Sequence, residues 1–307
     1  MVAKGIRFLD EVVIENADKH PLPQQSKVAE DYRQIGLGIF AFADLLVMLG
    51  VRYGSPESMK IADKLGFEMI NQAATTSALI AKEKGTFPKY NETMLESPFL
   101  KENLKPEVYK IVEEYGLRNA SLLSIAPTGS ISTMLGRSGG IEPIFSISYN
   151  RKTESLHEEG EVTYEVFTPV IKDLMEAKDI LDKKDLPDYV VSANDIHYKD
   201  RIDIQSAWQE YIDNAISSTL NLPNDITINE VKNAYIYGWK QGLKGMTVYR
   251  EGCKRAGILT NSDDVDNEDM TETDWVEAGI CPECKSNLDR TQGCKNCNNC
   301  GWSACSV

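Results

Sequence analysis

Apolar and polar positions alternate along the chain between helical and strand-like spacing. The run "VAEDYRQIGLGIFAFADLLVMLG" over 28–50 predicts one long apolar helix, with Gly50 as its stop. "SPES" at 55–58 reads as a serine N-cap followed by proline at the first helical position. The helix it opens carries Ile61, Leu65, Met69 and Ala73 at i+4 spacing and ends near Gly85. A shorter helix follows Pro106 and stops at Gly116, and "FTPVIKDLMEAK" opens another with Thr168 as cap and Pro169 in its first turn. "TINE" at 227–230 is a capping box ahead of "VKNAYIYGWKQGL". Between these stand short apolar runs that read as buried strands: "SLLSIA" (121–126), "FSISYNR" (145–151), "YVVSA" (189–193) and "KGMTVYREG" (244–252). Buried strands alternating with helices predict an α/β fold with a parallel sheet or barrel.

Composition narrows the class. An apolar share of 42% in 307 residues supports a sizeable core, in one large domain or two ordinary ones. A net charge of −14 excludes non-specific nucleic-acid binding, which needs basic surface. The most apolar stretch, "IGLGIFAFADLLVMLG", is too short for a membrane span and is interrupted by Asp44. "MVAKGIRFLDEV" has no apolar core of a signal peptide, so a cytoplasmic location is expected. No Lys or Arg stands between Arg255 and Lys285, while "NSDDVDNEDMTETDWVE" carries eight acids. Such a stretch repels itself and predicts a flexible linker. The expected organisation is therefore a body over 1–255, an acidic linker over 256–279 and a cysteine-rich tail over 280–307.

Two motifs carry chemistry. "SLLSIAPTGSIST" sets a loop of small residues directly after an apolar strand: Pro127 ends the strand, Gly129 permits close backbone approach, and Thr128, Ser130 and Ser132 bring hydroxyls. With a helix starting near Ser130, the loop suits an anion such as phosphate; a strand-to-helix connection with serine capping fits the same residues. In the tail, Cys281, Cys284, Cys294 and Cys297 form C-x2-C-x9-C-x2-C, enough thiolates for a closed tetrahedral zinc site. With so few apolar residues after 280, metal binding would supply most of the tail's folding energy. Cys253, the one cysteine outside the tail, reads as a packing residue. His20, His157 and His197 are scattered and read as structural, whereas Glu142 in "GGIEP" is a candidate for lining a cleft.

"IAPTGSIS" followed by "GRSGGIEPIFSISYNRK" resembles the large catalytic subunit of ribonucleotide reductase. So do "RQIGLGIFAFADLLVMLGVRYGS", "SSTLNLP" and "GLKGMTVYREGC", which follow in the family's order. The resemblance implies the C-terminal half of a ten-stranded α/β barrel, with Pro127, Thr128, Gly129, Ser130, Ile131 and Ser132 holding the phosphates of a ribonucleotide substrate. It also implies deoxyribonucleotide synthesis by thiyl-radical chemistry. The oxygen-dependent class relays its radical through two adjacent tyrosines, but here Tyr249 is followed by Arg250. "TVYR" and the cysteine-rich tail resemble the adenosylcobalamin-dependent class.

The family's radical cysteine precedes the segment matching 5–13. The resemblance therefore implies a separate N-terminal chain that carries this cysteine and holds the cobalamin. An apolar half-barrel also needs cover. Cys300 and Cys305 resemble the family's shuttle dithiol, which carries electrons from a thioredoxin-like donor to the active site. In a second division, "CNNCG" at 297–301 is a zinc knuckle and Cys294 takes the redox role. The reading from another class is a non-catalytic zinc-ribbon scaffold or regulatory protein, disfavoured as a nucleic-acid module by the few basic residues of the tail (Lys285, Arg290, Lys295).

Overall fold

The computed structural model describes residues 1–154, 161–251, 276, 279, 281–283, 286–291, 294–297, 299–300 and 303–305. Cys253, Cys284, His157 and most of the acidic linker lie outside the described residues. The chain divides into two compact units, 1–259 and 260–307.

In the first unit the helices are α1 (Val2–Glu15), α2 (Pro23–Tyr32), α3 (Phe42–Leu49), α4 (Pro56–Lys84), α5 (Pro98–Asn103), α6 (Pro106–Tyr115) and α7 (Gly129–Met134). A hairpin of β1 (Ser148–Glu154) and β2 (Glu161–Phe167) follows, then α8 (Pro169–Ala177) and α9 (Tyr198–Gln209), β3 (Thr219–Leu222), α10 (Ile228–Lys240) and β4 (Thr247–Arg250). Two of the capping signals act as expected, whereas Thr168 precedes α8 but turns its hydroxyl to Ser146 O and makes no side-chain cap. Ser55 accepts from the Ser58 amide at the start of α4, and Thr227 and Glu230 complete the box at the start of α10. Gly85 and Gly116 follow α4 and α6 with positive φ.

The long helix expected over 28–49 does not form. Arg33, at φ 46°, ends α2, and 34–40 runs extended before Ala41, at φ 66°, starts α3. The reason lies in Gly36 and Gly38. A Cβ on Gly38 would sit 2.1 Å from the Ser124 carbonyl oxygen, so this stretch lies flat against 121–125. Two other strand expectations are corrected. "YVVSA" is a turn and a short helical turn, with Val190 and Val191 buried as loop anchors. "FSISYNR" enters an antiparallel hairpin, Ser148 opposite Phe167, and does not join the parallel array.

That array has four described segments. Residues 35–37 lie parallel to 121–125 through Ile35 N–H to Ser121 O (3.1 Å) and Leu37 N–H to Leu122 O (2.9 Å). Residues 121–125 lie parallel to 214–217 through Ser217 N–H to Ile125 O (2.8 Å), and β3 pairs in parallel with β4. Where half of a ten-stranded barrel was expected, the described residues show a mixed α/β unit with an open set of parallel segments. No closed barrel appears among them.

Two carboxylates, Asp10 buried and Asp213 partly buried, set the register. Asp10 on α1 accepts from Arg33 Nη2 (2.7 Å) and Asn119 Nδ2 (3.1 Å), and so aligns the starts of the first two segments. Asp213 accepts from the amides of Leu122 (2.6 Å) and Leu123 (2.7 Å), joining the second segment to the third. Burial pushes the Asp213 carboxyl up, while those amides pull it down. Lys244 closes the same corner by donating to the carbonyls of Ile212, Asp213 and Asn214. The core centres on Trp208, whose ring meets Phe42 edge-on at 5.4 Å. Among the described residues no helix is long and apolar enough to cross a membrane.

The second unit contains a small antiparallel sheet of β5 (Asp289–Thr291), β6 (Cys294–Asn296) and β7 (Ser303–Cys305), in the order β5-β6-β7.

Candidate functional site

The loop over 126–132 leaves the C-terminal end of the parallel segment 121–125 and runs into α7. Ligand sites of parallel sheets form at that end of the strands. Thr128 is the N-cap of α7 and holds a left-handed conformation at φ 53°, rare for a β-branched residue. It is held there by its own hydroxyl, which accepts the Gly140 N–H at 2.9 Å. Pro127, Gly129, Ser130 and Ile131 are exposed, whereas Thr128 is half-buried and Ser132 buried. Ser132 turns its hydroxyl inward to the Gly129 carbonyl (3.2 Å), so of the expected hydroxyls it belongs to the wall of the turn. The first amides of α7 have no partner within the helix, and Thr128 makes no side-chain cap to them.

Glu142 sits beyond the same turn. Its Oε1 accepts the Thr219 N–H at 2.8 Å, and Arg201 donates to the Thr219 carbonyl, so the two hold the first residue of β3 from both sides. Burial pulls the Arg201 guanidinium down from its ordinary value, and the nearby Glu142 and Tyr53 act against that. The Tyr53 hydroxyl donates to Ile141 O at 2.6 Å, and burial pushes it up. His197 caps α9 through Nδ1, which accepts the Lys199 N–H, a structural role.

In the second unit the sulfur atoms of Cys281, Cys297 and Cys300 all lie within 4.8 Å of one another. Cys281 and Cys300 approach to 3.5 Å between Sγ atoms. Cys281 and Cys297 are buried and Cys300 is exposed. Thiolates about 2.3 Å from a tetrahedral ion stand about 3.8 Å apart, so this donor set fits a zinc ion. Of the expected ligands, Cys281 and Cys297 are brought together, Cys284 lies outside the described residues, and Cys294 is placed in β6. Of the two cysteines expected as a shuttle pair, Cys300 joins the sulfur cluster. Cys305 stands in β7 directly opposite Cys294.

A family model described as ribonucleotide reductase, barrel domain, matches residues 1–249. The chain belongs to that family. Among its relatives is a vitamin B12-dependent ribonucleoside-diphosphate reductase of Mycobacterium tuberculosis, 30% identical over 84% of this chain and 37% of that protein. A protein of the same name from Thermoplasma acidophilum is 30% identical over 83% of this chain and 33% of its own length. A ribonucleoside-diphosphate reductase subunit alpha of Treponema pallidum is 29% identical over 81% of this chain and 28% of its own. The chain therefore spans about a third of the length of the curated relatives it matches.

Within this reductase domain β4 places Tyr249 opposite Asn221 and Arg250 opposite Leu222. The residue after Tyr249 is Arg250, so β4 carries no adjacent tyrosine pair. Residues that sequence reasoning did not assign to the site are Ser138 to Gly140, Arg201 and Asp44. Asp44 had left a signal as a lone acid in an apolar run, and Ser138 to Gly140 lie in the "GRSGGIEP" block that resembles the family.

Proposed function

We propose that this chain is the C-terminal part of a ribonucleoside-diphosphate reductase that makes deoxyribonucleotides by thiyl-radical chemistry. The observation that carries the reading is the loop 126–132, inside the family match and at the carboxyl end of a parallel segment. In this reading Pro127 to Ile131 receive the substrate's diphosphate on the amides of the loop and on the hydroxyls of Thr128 and Ser130. Ser132 shapes the turn from behind.

The radical cysteine belongs to a separate N-terminal chain, which also holds adenosylcobalamin. The cofactor supplies the radical locally, and no residue of this chain is assigned to it. Two features support a covering partner: the described array ends at 35–37 on one side and at β4 on the other, and Ile228 and Trp239 on α10 are largely exposed. The test is nucleotide reduction with adenosylcobalamin and a dithiol, by this chain alone and mixed with a candidate N-terminal half. Activity only in the mixture is expected; no activity with a cobalamin-competent partner would sink the reading. In the active mixture, changing Thr128 and Ser130 together to Ala is expected to raise KM for the diphosphate about tenfold or more. An unchanged KM removes the loop from the site.

We further propose that zinc is held by Cys281, Cys284, Cys297 and Cys300, and that Cys294 with Cys305 is the shuttle dithiol. Support comes from the sulfur cluster and from the pairing of Cys294 with Cys305 across β6 and β7. Opposite residues of an antiparallel pair have Cα atoms about 4.5–5.5 Å apart, within disulfide reach. Each turnover leaves a disulfide between two active-site thiols. One shuttle thiolate attacks it, forming a mixed disulfide and freeing one active-site thiol; the second shuttle thiolate then attacks the first shuttle sulfur and displaces the other active-site thiol. Two active-site thiols are restored and the tail becomes the disulfide, which a thioredoxin-like dithiol reduces by the same two exchanges. Purified protein is expected to carry about one zinc per chain and to lose it on Cys300→Ser. Full zinc in Cys300→Ser would return Cys300 to the shuttle and Cys294 to the metal.

A further inference from the structure

The phosphate loop is gripped from behind by a turn that is itself gripped by a buried acid. Asp44 lies in α3, "FADLLVML", and is 2% exposed in the middle of apolar neighbours. Its Oδ2 accepts the Ser138 N–H at 2.8 Å and also the Ser138 hydroxyl. The start of α3 completes the grip, Ala41 N–H donating to Ser138 O at 2.9 Å and Phe42 N–H to Gly140 O at 3.4 Å. From the other side of the turn, Gly140 N–H donates to Thr128 Oγ1. There is no slack between turn and loop. A Cβ on Gly139 would lie 3.0 Å from Pro127 O, and one on Gly140, at φ +45°, would lie 3.2 Å from Ala126 O.

We propose that Asp44 is a positioning residue for the substrate-phosphate loop, acting through Ser138–Gly140 on the left-handed Thr128. Apolar packing alone does not account for a carboxylate here. Burying one is costly, and its Oδ1 has no hydrogen-bond partner among the described residues, with Arg137 Nη1 3.9 Å away. What the carboxylate does accomplish is to draw two donors of Ser138 to one point. Charge-assisted bonds are the strong class, and these fix the carbonyl and amide positions of the turn. The turn in turn keeps Thr128 in a conformation that a free loop would leave, so that the loop meets its ligand already formed. The inference rests on the phosphate-loop reading above and adds what sets the loop's geometry.

The test uses the active two-chain mixture with a nucleoside diphosphate as substrate and inorganic pyrophosphate as competitor. Asp44→Asn keeps the side chain's size and removes its charge. Ser138→Ala removes one donor and keeps the backbone bond, so it decides the matter if the first variant does not fold. Both are expected to raise KM and the pyrophosphate inhibition constant together, Asp44→Asn by about tenfold, with kcat within about twofold. A lower melting temperature or lower kcat with both constants unchanged would overturn the proposal and leave Asp44 a core residue only. The Thr128 and Ser130 double variant runs in parallel. If it too leaves KM unchanged, the phosphate reading fails; if it raises KM while the Asp44 and Ser138 variants do not, only the brace fails.

Discussion

Gly38→Ala is expected to destabilise the protein by about 3 kcal/mol, at the upper end of what overpacking costs. The new Cβ would lie 2.1 Å from the Ser124 carbonyl oxygen and 3.2 Å from Ile125 Cα. Both obstacles are backbone, and backbone in a paired segment cannot swing aside as a side-chain tip can. The strain must separate 34–40 from 121–125, and with it the hydrogen bonds that align the first two parallel segments. Because the second segment leads directly into the loop at 126–132, the damage would reach the candidate site. Urea denaturation checks the magnitude. Gly245→Ala, where an added Cβ meets nothing within 4 Å, is the control and is expected to stay near wild type. A Gly38→Ala protein with an unshifted midpoint would mean that 34–40 does not lie against Ser124.

Cys294→Ser and Cys305→Ser are each expected to abolish multiple turnover with a thioredoxin-like donor while sparing activity with a small dithiol. The first thiol alone can open the active-site disulfide, but without its partner the mixed disulfide has no intramolecular exit. A small dithiol diffuses to the active site and bypasses the tail. Cys300→Ser separates the two divisions of the tail, since it is expected to lose zinc and then both kinds of tail function. Equal loss with both reductants in the Cys305 variant, with zinc retained, would end the shuttle assignment.

Helix starts were plain in the sequence wherever capping is local. Ser55 with Pro56 and Thr227 with Glu230 need only their own neighbours to satisfy free amides of a first turn. Apolar content was a poorer guide. The run through 28–49 has the composition of one helix, yet Gly36 and Gly38 mark where another strand must approach closely, and composition does not say from which side. "YVVSA" has the apolar residues of a strand, but Val190 and Val191 are buried by a turn. Burial by itself does not distinguish the two conformations.

The candidate site divides the same way. Thr128, Gly129 and Ser130 are contiguous, so their loop and its small-residue chemistry could be read directly. Asp44 and Ser138 are 94 positions apart, and only the packing of α3 against the turn brings them together. The cysteine spacings suggested a metal site and a dithiol in either of two divisions. In the folded tail the 281, 297 and 300 sulfurs converge and strand register sets Cys294 opposite Cys305, which supports the division proposed above. By itself the sequence determined the capped helix starts at Ser55 and Thr227, the small-residue loop, the acidic stretch and the thiol-rich tail, because each depends on residues close together in the chain. The tertiary structure alone decided where the chain bends at 33–41, which carboxylates are buried as pins, and which thiols meet. Those outcomes depend on contacts between segments far apart in the chain, and local composition carries no information about which segments will touch.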